Sequence, residues 1–355
     1  MEKFSKIIVP AIIGLSAVGA LYVCCSHTLS HRSRTAEIDI PSKPSLPEVR
    51  RARLVFAGDL MQHTPQLTAA RTPEGDFDFN ASFDWVRERF RAADAAIVNL
   101  ETTLSESGPY TGYPCFRSPA ALAEALDSLG VDITVLANNH CCDGGSKGIR
   151  TTIRELDRHG IEHTGVFLDS SDFRARHPLR FEAGGIRFAL LNYTYGTNGL
   201  PVPSGLSVNP IDTVRIAADL AAVEHDGVDC VIACMHWGNE YERRPNKVQR
   251  QLAGFLRRHG VDLIVGSHPH VTQGAEIYRG KPIVYSLGNF VFDGFDYENA
   301  RRGWLLRLTL DRAGVVTWEM RAAQIDEAGT PYPLSGARTP CGARGDAEVR
   351  LCVNP

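Results

Sequence analysis

Five apolar runs in this chain each end in residues able to hold a metal ion, and no other feature constrains the fold as tightly. RLVFAGD ends in Asp59 and AIVNLE in Glu101. ITVLANNH ends in Asn139 and His140, CVIACMHWG carries His236 at its end, and DLIVGSHPH ends in His268 and His270. Amphipathic stretches such as ASFDWVRERFRAA, PAALAEALDSLG and NKVQRQLAGFLRRHG lie between the runs and predict helices. Strand alternating with helix argues for an α/β fold with a largely buried, partly parallel sheet. LRFEAGGIRFALLNYT predicts a hairpin turning at Gly184-Gly185, and KPIVYSLGNF a strand. Ligands of open α/β sheets gather at the carboxyl ends of the strands, so donors from five strands are expected to converge on one point.

Each residue type has a use there. Asp59 and Glu101 supply hard, negative oxygens, and one carboxylate can bridge two cations. Asn139 supplies a neutral carbonyl oxygen; His236, His268 and His270 supply imidazole nitrogens. Mixed nitrogen and oxygen ligation suits one or two divalent ions such as Mn, Zn, Fe or Ca. Two cations about 3.5–4 Å apart can share a water and lower its pKa toward neutrality. His140 is the candidate catalytic proton donor to a leaving group. Taken singly, each residue has a plainer reading: a strand-end Asp caps a turn, Asn138-Asn139 forms one, and His236 beside Trp237 is a satisfied core histidine. Convergence explains all five strand ends together. The strongest pair is His268-Pro269-His270, whose proline is expected to keep the backbone extended with two imidazoles emerging two residues apart.

Other features carry less. Glu240 and Tyr241 follow His236 and are expected to face the pocket as substrate-binding residues. Asn289 follows a glycine at a strand end and is expected to position a loop or substrate. Asp143 reads as a helix N-cap before Gly144-Gly145. Arg243, Arg244, Lys247 and Arg250 form either a solvated helix face or a patch for a polyanion. Cys141 and Cys142 read as packing residues, with thiolate ligation as the alternative, and Cys230 and Cys234 as small buried hydrophobes. Cys341 and Cys352 can close a small terminal loop in an oxidising space.

Residues 7–26, IIVPAIIGLSAVGALYVCCS, form the one long apolar run. Roughly 20 uncharged residues cross a hydrocarbon core of about 30 Å. Lys3 and Lys6 precede the run and no clean cleavage site follows, which favours an uncleaved signal anchor over a cleaved signal or a lipid-modified Cys24. Arg32 and Arg34 nearly balance the flanking charge. The expected arrangement is a single-pass anchor at 1–26 in the cytoplasmic membrane, a tether at 27–50, one globular domain at 51–330 outside the cytoplasm, and a loosely organised tail at 331–355. Of the 355 residues, 43% are hydrophobic and 22% charged, which suits a globular core. The balance of 38 Lys and Arg against 41 Asp and Glu gives a net charge of −3, with nothing to suggest a nucleic-acid partner.

GDLM (58–61), NLE (99–101), ANNHCCDGGSKGI (137–149), HWGNEY (236–241), VGSHPHVTQGAEIY (265–278) and YSLGNFVF (285–292) resemble, in order, the CapA family of poly-γ-glutamate capsule synthesis proteins. That family in turn resembles the calcineurin-like metallophosphoesterases. The resemblance implies a four-layer α/β/β/α sandwich of two mixed sheets and a two-metal site. It makes Asp59 a first-motif ligand, puts Glu101 in the place of a bridging aspartate, and makes Asn139, His236, His268 and His270 ligands and His140 the catalytic histidine. Met61 stands where those enzymes carry a further histidine, and His63, four residues after Asp59, is a candidate substitute. The implied partners are an anionic polymer such as poly-γ-glutamate, the membrane and other capsule synthesis subunits. The implied activity is hydrolysis of an amide, ester or phosphoester bond of the polymer. A non-catalytic, metal-stabilised component of a synthesis or export complex is the alternative, and a metal-assisted proton-transfer enzyme such as an epimerase a third.

Overall fold

A computed structural model of the chain describes residues 49–224, 226–293, 298–325 and 331–343. The expected anchor, almost all of the tether, and Cys352 lie outside these residues, as do residues 344–355. Among the described residues no helix is long and apolar enough to cross a membrane.

Two mixed sheets dominate. In the first, strands Ala52–Leu60, Ala95–Leu100, Ile133–Val135 and Glu162–Thr164 run parallel in that order. Arg302–Asp311, Gly314–Ile325 and Pro331–Ala343 extend the Ala52–Leu60 edge with antiparallel pairing. The first half of the tail expected to be loosely organised is therefore a strand, because the edge of Gly314–Ile325 offers it a backbone partner. In the second sheet Ile186–Thr194, Cys230–His236, Leu263–Ser267 and Lys281–Leu287 run parallel. Leu179–Ala183 and Thr272–Tyr278 flank them antiparallel, the former through the expected hairpin at Gly184-Gly185.

Side-chain alternation assigns the layers. Leu54, Phe56, Ile97 and Ile133 of the first sheet pack against Phe188, Leu190, Ile232 and Leu263 of the second. The alternate residues Val55, Ala57, Ala96 and Val98 face outward under helices Asp84–Arg91, Ala121–Leu129 and Gly145–Arg158. On the far side Leu191, Ala233, Met235 and Ile264 pack under helices Thr213–Glu224 and Lys247–Arg258. Both faces of each sheet are thus covered, which is why AAIVNL and LIVGS are buried at every position. Cys230 and Cys234 sit in the core between the sheets, and Cys141 and Cys142 under the first helical layer.

Four aspartates tie the parallel strands together at their N-terminal ends. Each immediately precedes its own strand and accepts from a backbone N–H of the neighbouring one: Asp94 from Arg53 at 2.7 Å, Asp132 from Ala96 at 2.7 Å, Asp229 from Arg187 at 2.9 Å and Asp262 from Val231 at 2.9 Å. Each also donates its own N–H to the carbonyl of that same neighbour residue.

KPIVYSLGNF proves to be two strands. The chain turns at Gly288, which has φ of 68°, and leaves the second sheet. Asn289–Val291 then pairs with Ala52–Leu60 in the first sheet. Here the Asp59 N–H donates to the Gly288 carbonyl at 3.0 Å. A Cβ on Gly58 would run into that carbonyl oxygen. Gly58→Ala is expected to destabilise the fold by about 1–3 kcal/mol, as overpacking does. Urea denaturation measures it, and an unchanged midpoint would mean that the two segments separate freely.

Candidate metal centre

The carboxyl ends of both sets of parallel strands meet at one place. Asp59 lies at the end of Ala52–Leu60 and Glu101 one residue beyond Ala95–Leu100; both are 0% exposed. Asn139 and His140 follow Ile133–Val135. These come from the first sheet. His236 ends Cys230–His236, and His268 and His270 follow Leu263–Ser267, all from the second. All seven are buried.

The contacts join them into one cluster. Asn139 Oδ1 is 2.6 Å from His236 Nε2, and Glu101 Oε1 is 3.5 Å from the same nitrogen. Ser267 Oγ, on the adjacent strand, sits 2.9 Å from His236 Nδ1 and directs Nε2 toward Asn139 and Glu101. Asp59 Oδ2 lies 3.2 Å from His270 Nδ1 and accepts from the His268 backbone N–H at 3.2 Å. Donor atoms of Glu101, His236 and His268 lie within 4.8 Å of one another, and so do those of Asp59, Glu101 and His270. Glu101 belongs to both sets, as a bridging carboxylate would.

Burial and charge set the protonation states. Burial pushes Glu101 well above the usual carboxylate range, and the neighbouring Asp59 charge pushes the same way. Burial also pushes Asp59 up, but its hydrogen bond to His270 and the charges of His270 and His236 outweigh it and hold Asp59 low. Burial lowers His236 to about 3 and His268 to about 2, so both imidazoles are neutral. Burial opposes charge on His270 too, yet Glu101 and Asp59 raise it to about 9. Glu101 Oε1 and His268 Nδ1 have no hydrogen-bond partner despite their burial. Two orphaned donor atoms amid neutral imidazoles and carboxylates fit a divalent cation.

The His268–His270 segment departs from the extended geometry expected of it. His268 has φ of 97° and His270 of 55°. Non-glycine residues at positive φ cost about 1–3 kcal/mol each. The turn is what aims two imidazoles at carboxylates of the opposite sheet, which a flat strand would not do. Asn289, expected to position a loop or substrate, is buried against His270. Its Oδ1 is 3.0 Å from His270 Nδ1, and its amide donates to the carbonyls of His270 at 2.9 Å and Ala300 at 2.8 Å. It fixes the orientation of the His270 ring.

His140, Glu240, Tyr241 and His270 line a cleft of about 520 Å³ together with Met61 and His63. Asp143 is not the N-cap, a place taken by Gly144. Its Oδ2 lies 2.8 Å from His140 Nδ1 and accepts from the Phe116 N–H at 2.6 Å. Met61 is 1% exposed and packs with Phe116, Val271, Phe292 and Ala300, so it offers the site no nitrogen. The His63 ring packs edge-on against Phe116 and Phe292, and burial lowers it to about 3. It belongs to none of the donor groups found among the described residues. Arg243, Arg244, Lys247 and Arg250 are exposed.

Three asparagines and a tyrosine escaped the sequence reading. Asn99 Nδ2 donates to Asp59 Oδ1 at 2.8 Å and to Glu101 Oε2 at 3.1 Å, holding the two carboxylates together. Asn138 donates to the Leu100 carbonyl at 2.8 Å and accepts from the His140 N–H at 3.2 Å. Asn198, in the loop after Ile186–Thr194, accepts from Asn139 Nδ2 at 3.2 Å, and its own Nδ2 is 3.5 Å from His140 Nε2. The Tyr195 ring lies 4.5 Å from that of His268.

The PGA biosynthesis protein CapA of Bacillus subtilis (strain 168) is 29% identical over 286 residues, covering 79% of this chain and 73% of that protein. The capsule biosynthesis protein CapA of Bacillus anthracis is 30% identical over 219 residues, covering 60% of this chain. The match spans 52% of that protein's own length. Among solved structures, a calcineurin-like phosphoesterase from Bacillus subtilis aligns with a TM-score of 0.44 at 12% identity, over 85% of this chain and 90% of that one. Residues 53–294, more than half of the sequence, match the family model described as bacterial capsule synthesis protein PGA_cap, and the chain belongs to that family.

Proposed function

We propose that this protein is a membrane-anchored, metal-dependent hydrolase of capsule polymer synthesis or export. It acts outside the cytoplasm on an amide, ester or phosphoester bond of an anionic polymer such as poly-γ-glutamate. The observation that carries this reading is the meeting of Asp59, Glu101, Asn139, His236, His268 and His270 beside a cleft that also exposes His140. The names of the Bacillus relatives support the polymer, and the apolar run at 7–26 supports the anchor.

In this reading Glu101, Asn139, His236 and His268 hold one divalent ion, and Asp59, Glu101 and His270 hold a second. Bound there, such ions polarise a carbonyl or phosphoryl oxygen and lower the pKa of a bound water. The chain's own residues do the rest. Asp143 accepts from His140 Nδ1–H and so fixes the tautomer and leaves Nε2 toward the cleft. Protonated, Nε2 can donate to a leaving group. Asn198 holds the same ring from the other side through its contact with Nε2. Asn99 keeps Asp59 and Glu101 from drifting apart.

Metal analysis of the full-length, detergent-solubilised chain is expected to find one to two equivalents, and markedly less in a His268→Ala/His270→Ala double variant. A folded parent that refuses Mn, Zn and Ca alike would sink the metal reading. With the preferred metal bound, His140→Ala is expected to lose about 10²–10⁴-fold in turnover of a γ-glutamyl, peptide or phosphoester substrate while retaining its metal.

A non-catalytic reading is favoured by one observation, the burial of Met61 where metallophosphoesterases carry a histidine. In a capsule-producing host, capsule retained on His140→Ala but lost on deletion of the gene would establish that second reading.

A further inference from the structure

We propose that Glu240 is a metal ligand, and that its carboxylate supplies the donor that Met61 withholds from the cation position beside His270. The inference rests on the metal-site reading above. Asp59, Glu101 and His270 alone give that position three donors, whereas divalent ions in oxygen-rich protein sites usually take four to six or more. The Met61 side chain is committed to an apolar cluster, and His63 is held by two phenylalanine rings. Glu240 offers an oxygen within 4.8 Å of donor atoms on both His268 and His270.

The backbone keeps it there. Before Glu240, the Trp237 N–H donates to the Ser267 carbonyl at 3.2 Å. After it, Tyr241 turns the chain at φ of 62° and donates its N–H to the Pro269 carbonyl, between the two histidines, at 2.7 Å. Gln273 Nε2 then donates to the Glu242 carbonyl at 2.7 Å. The segment carrying Glu240 is thus stitched to the His268–His270 segment on both sides, and positive φ at Tyr241 is tolerated because that bond fixes the turn. His268 Nδ1 and Glu101 Oε1, both buried and without a hydrogen-bond partner, are independent observations that fit a cation ligated in the same cluster.

Glu240 is exposed, at the cleft wall, so it approaches the ion from the solvent side. Its chemistry changes the site. The donors that stand nearest to it are His268 and His270, a group of one carboxylate and two imidazoles. A carboxylate beside two imidazoles is a mixed oxygen and nitrogen set that suits Mn, Fe or Zn better than Ca.

The test uses the full-length chain in detergent, with Mn²⁺ alone as the probe, read by equilibrium metal content and titration calorimetry. The parent is expected to bind two equivalents. Glu240→Ala is expected to lose one equivalent, or to bind it at least about tenfold more weakly. Met61→His in the Glu240→Ala background is expected to restore it. Unchanged stoichiometry and affinity in Glu240→Ala, with the parent loaded, would overturn the assignment and leave the metal centre standing. A parent that binds no metal would instead remove the reading beneath it. Loss of both equivalents together with a lower melting temperature in EDTA would make Glu240 a structural residue and also overturn the proposal.

Discussion

Asp59 and Glu101 are both fully buried, and the energetics of two acidic side chains sharing one dry volume govern the rest of this molecule. An unpaired buried charge costs several kcal/mol, and two like charges cannot both persist without compensation. The compensation is visible. Asn99 donates one amide group to both carboxylates, His270 carries a proton against Asp59, and the His268 backbone N–H adds a third bond. Remove these and Asp59 would protonate or draw in water. The supports come from two segments, Asn99 from the first sheet and His268 and His270 from the second, so the acids can be satisfied only when the two sheets have come together.

That arrangement explains the unusual backbone around it. His268, His270 and Tyr241 all sit at positive φ within a few residues of one another in space. Gly58 has no room for a side chain because the turn at Gly288 presses against it. Strain and close approach gather where donors from opposite sheets must meet, a common property of functional sites.

Much of the centre was legible in the sequence because its donors stand where apolar runs stop. Asp59, Glu101, Asn139, His236 and the His268–His270 pair are all marked by that change of character. The α/β alternation was legible for the same reason, and the family motifs point to two sheets. What escaped had no such mark. Asn99 lies inside an apolar strand and reads as one stray polar residue. Asn198 and Tyr195 lie in a loop with no periodicity, and only the folding of the second sheet carries them to His140 and His268. Asp143 looked like a helix cap because local sequence cannot show that Phe116 and His140 would claim its carboxylate. The break of KPIVYSLGNF into two strands is a tertiary event, decided by pairing of Asn289–Val291 with Ala52–Leu60.

The aspartates that join neighbouring strands at their N-terminal ends act as the zero mark of a ruler. Counting from each clamp, Asp94 reaches Glu101, Asp132 reaches Asn139 and Asp229 reaches His236 in the same seven steps. Three site side chains on three strands are thereby cut to one height. Seven steps from Asp262 fall on Pro269, with His268 just short of the mark and His270 just past it. The two imidazoles thus straddle the level that the other three donors share, and the chain reaches it by bending at both. One residue gained or lost between clamp and donor would change the height and, because strand side chains alternate, the face as well. Spacing within these strands is therefore a property of the site as much as of the fold.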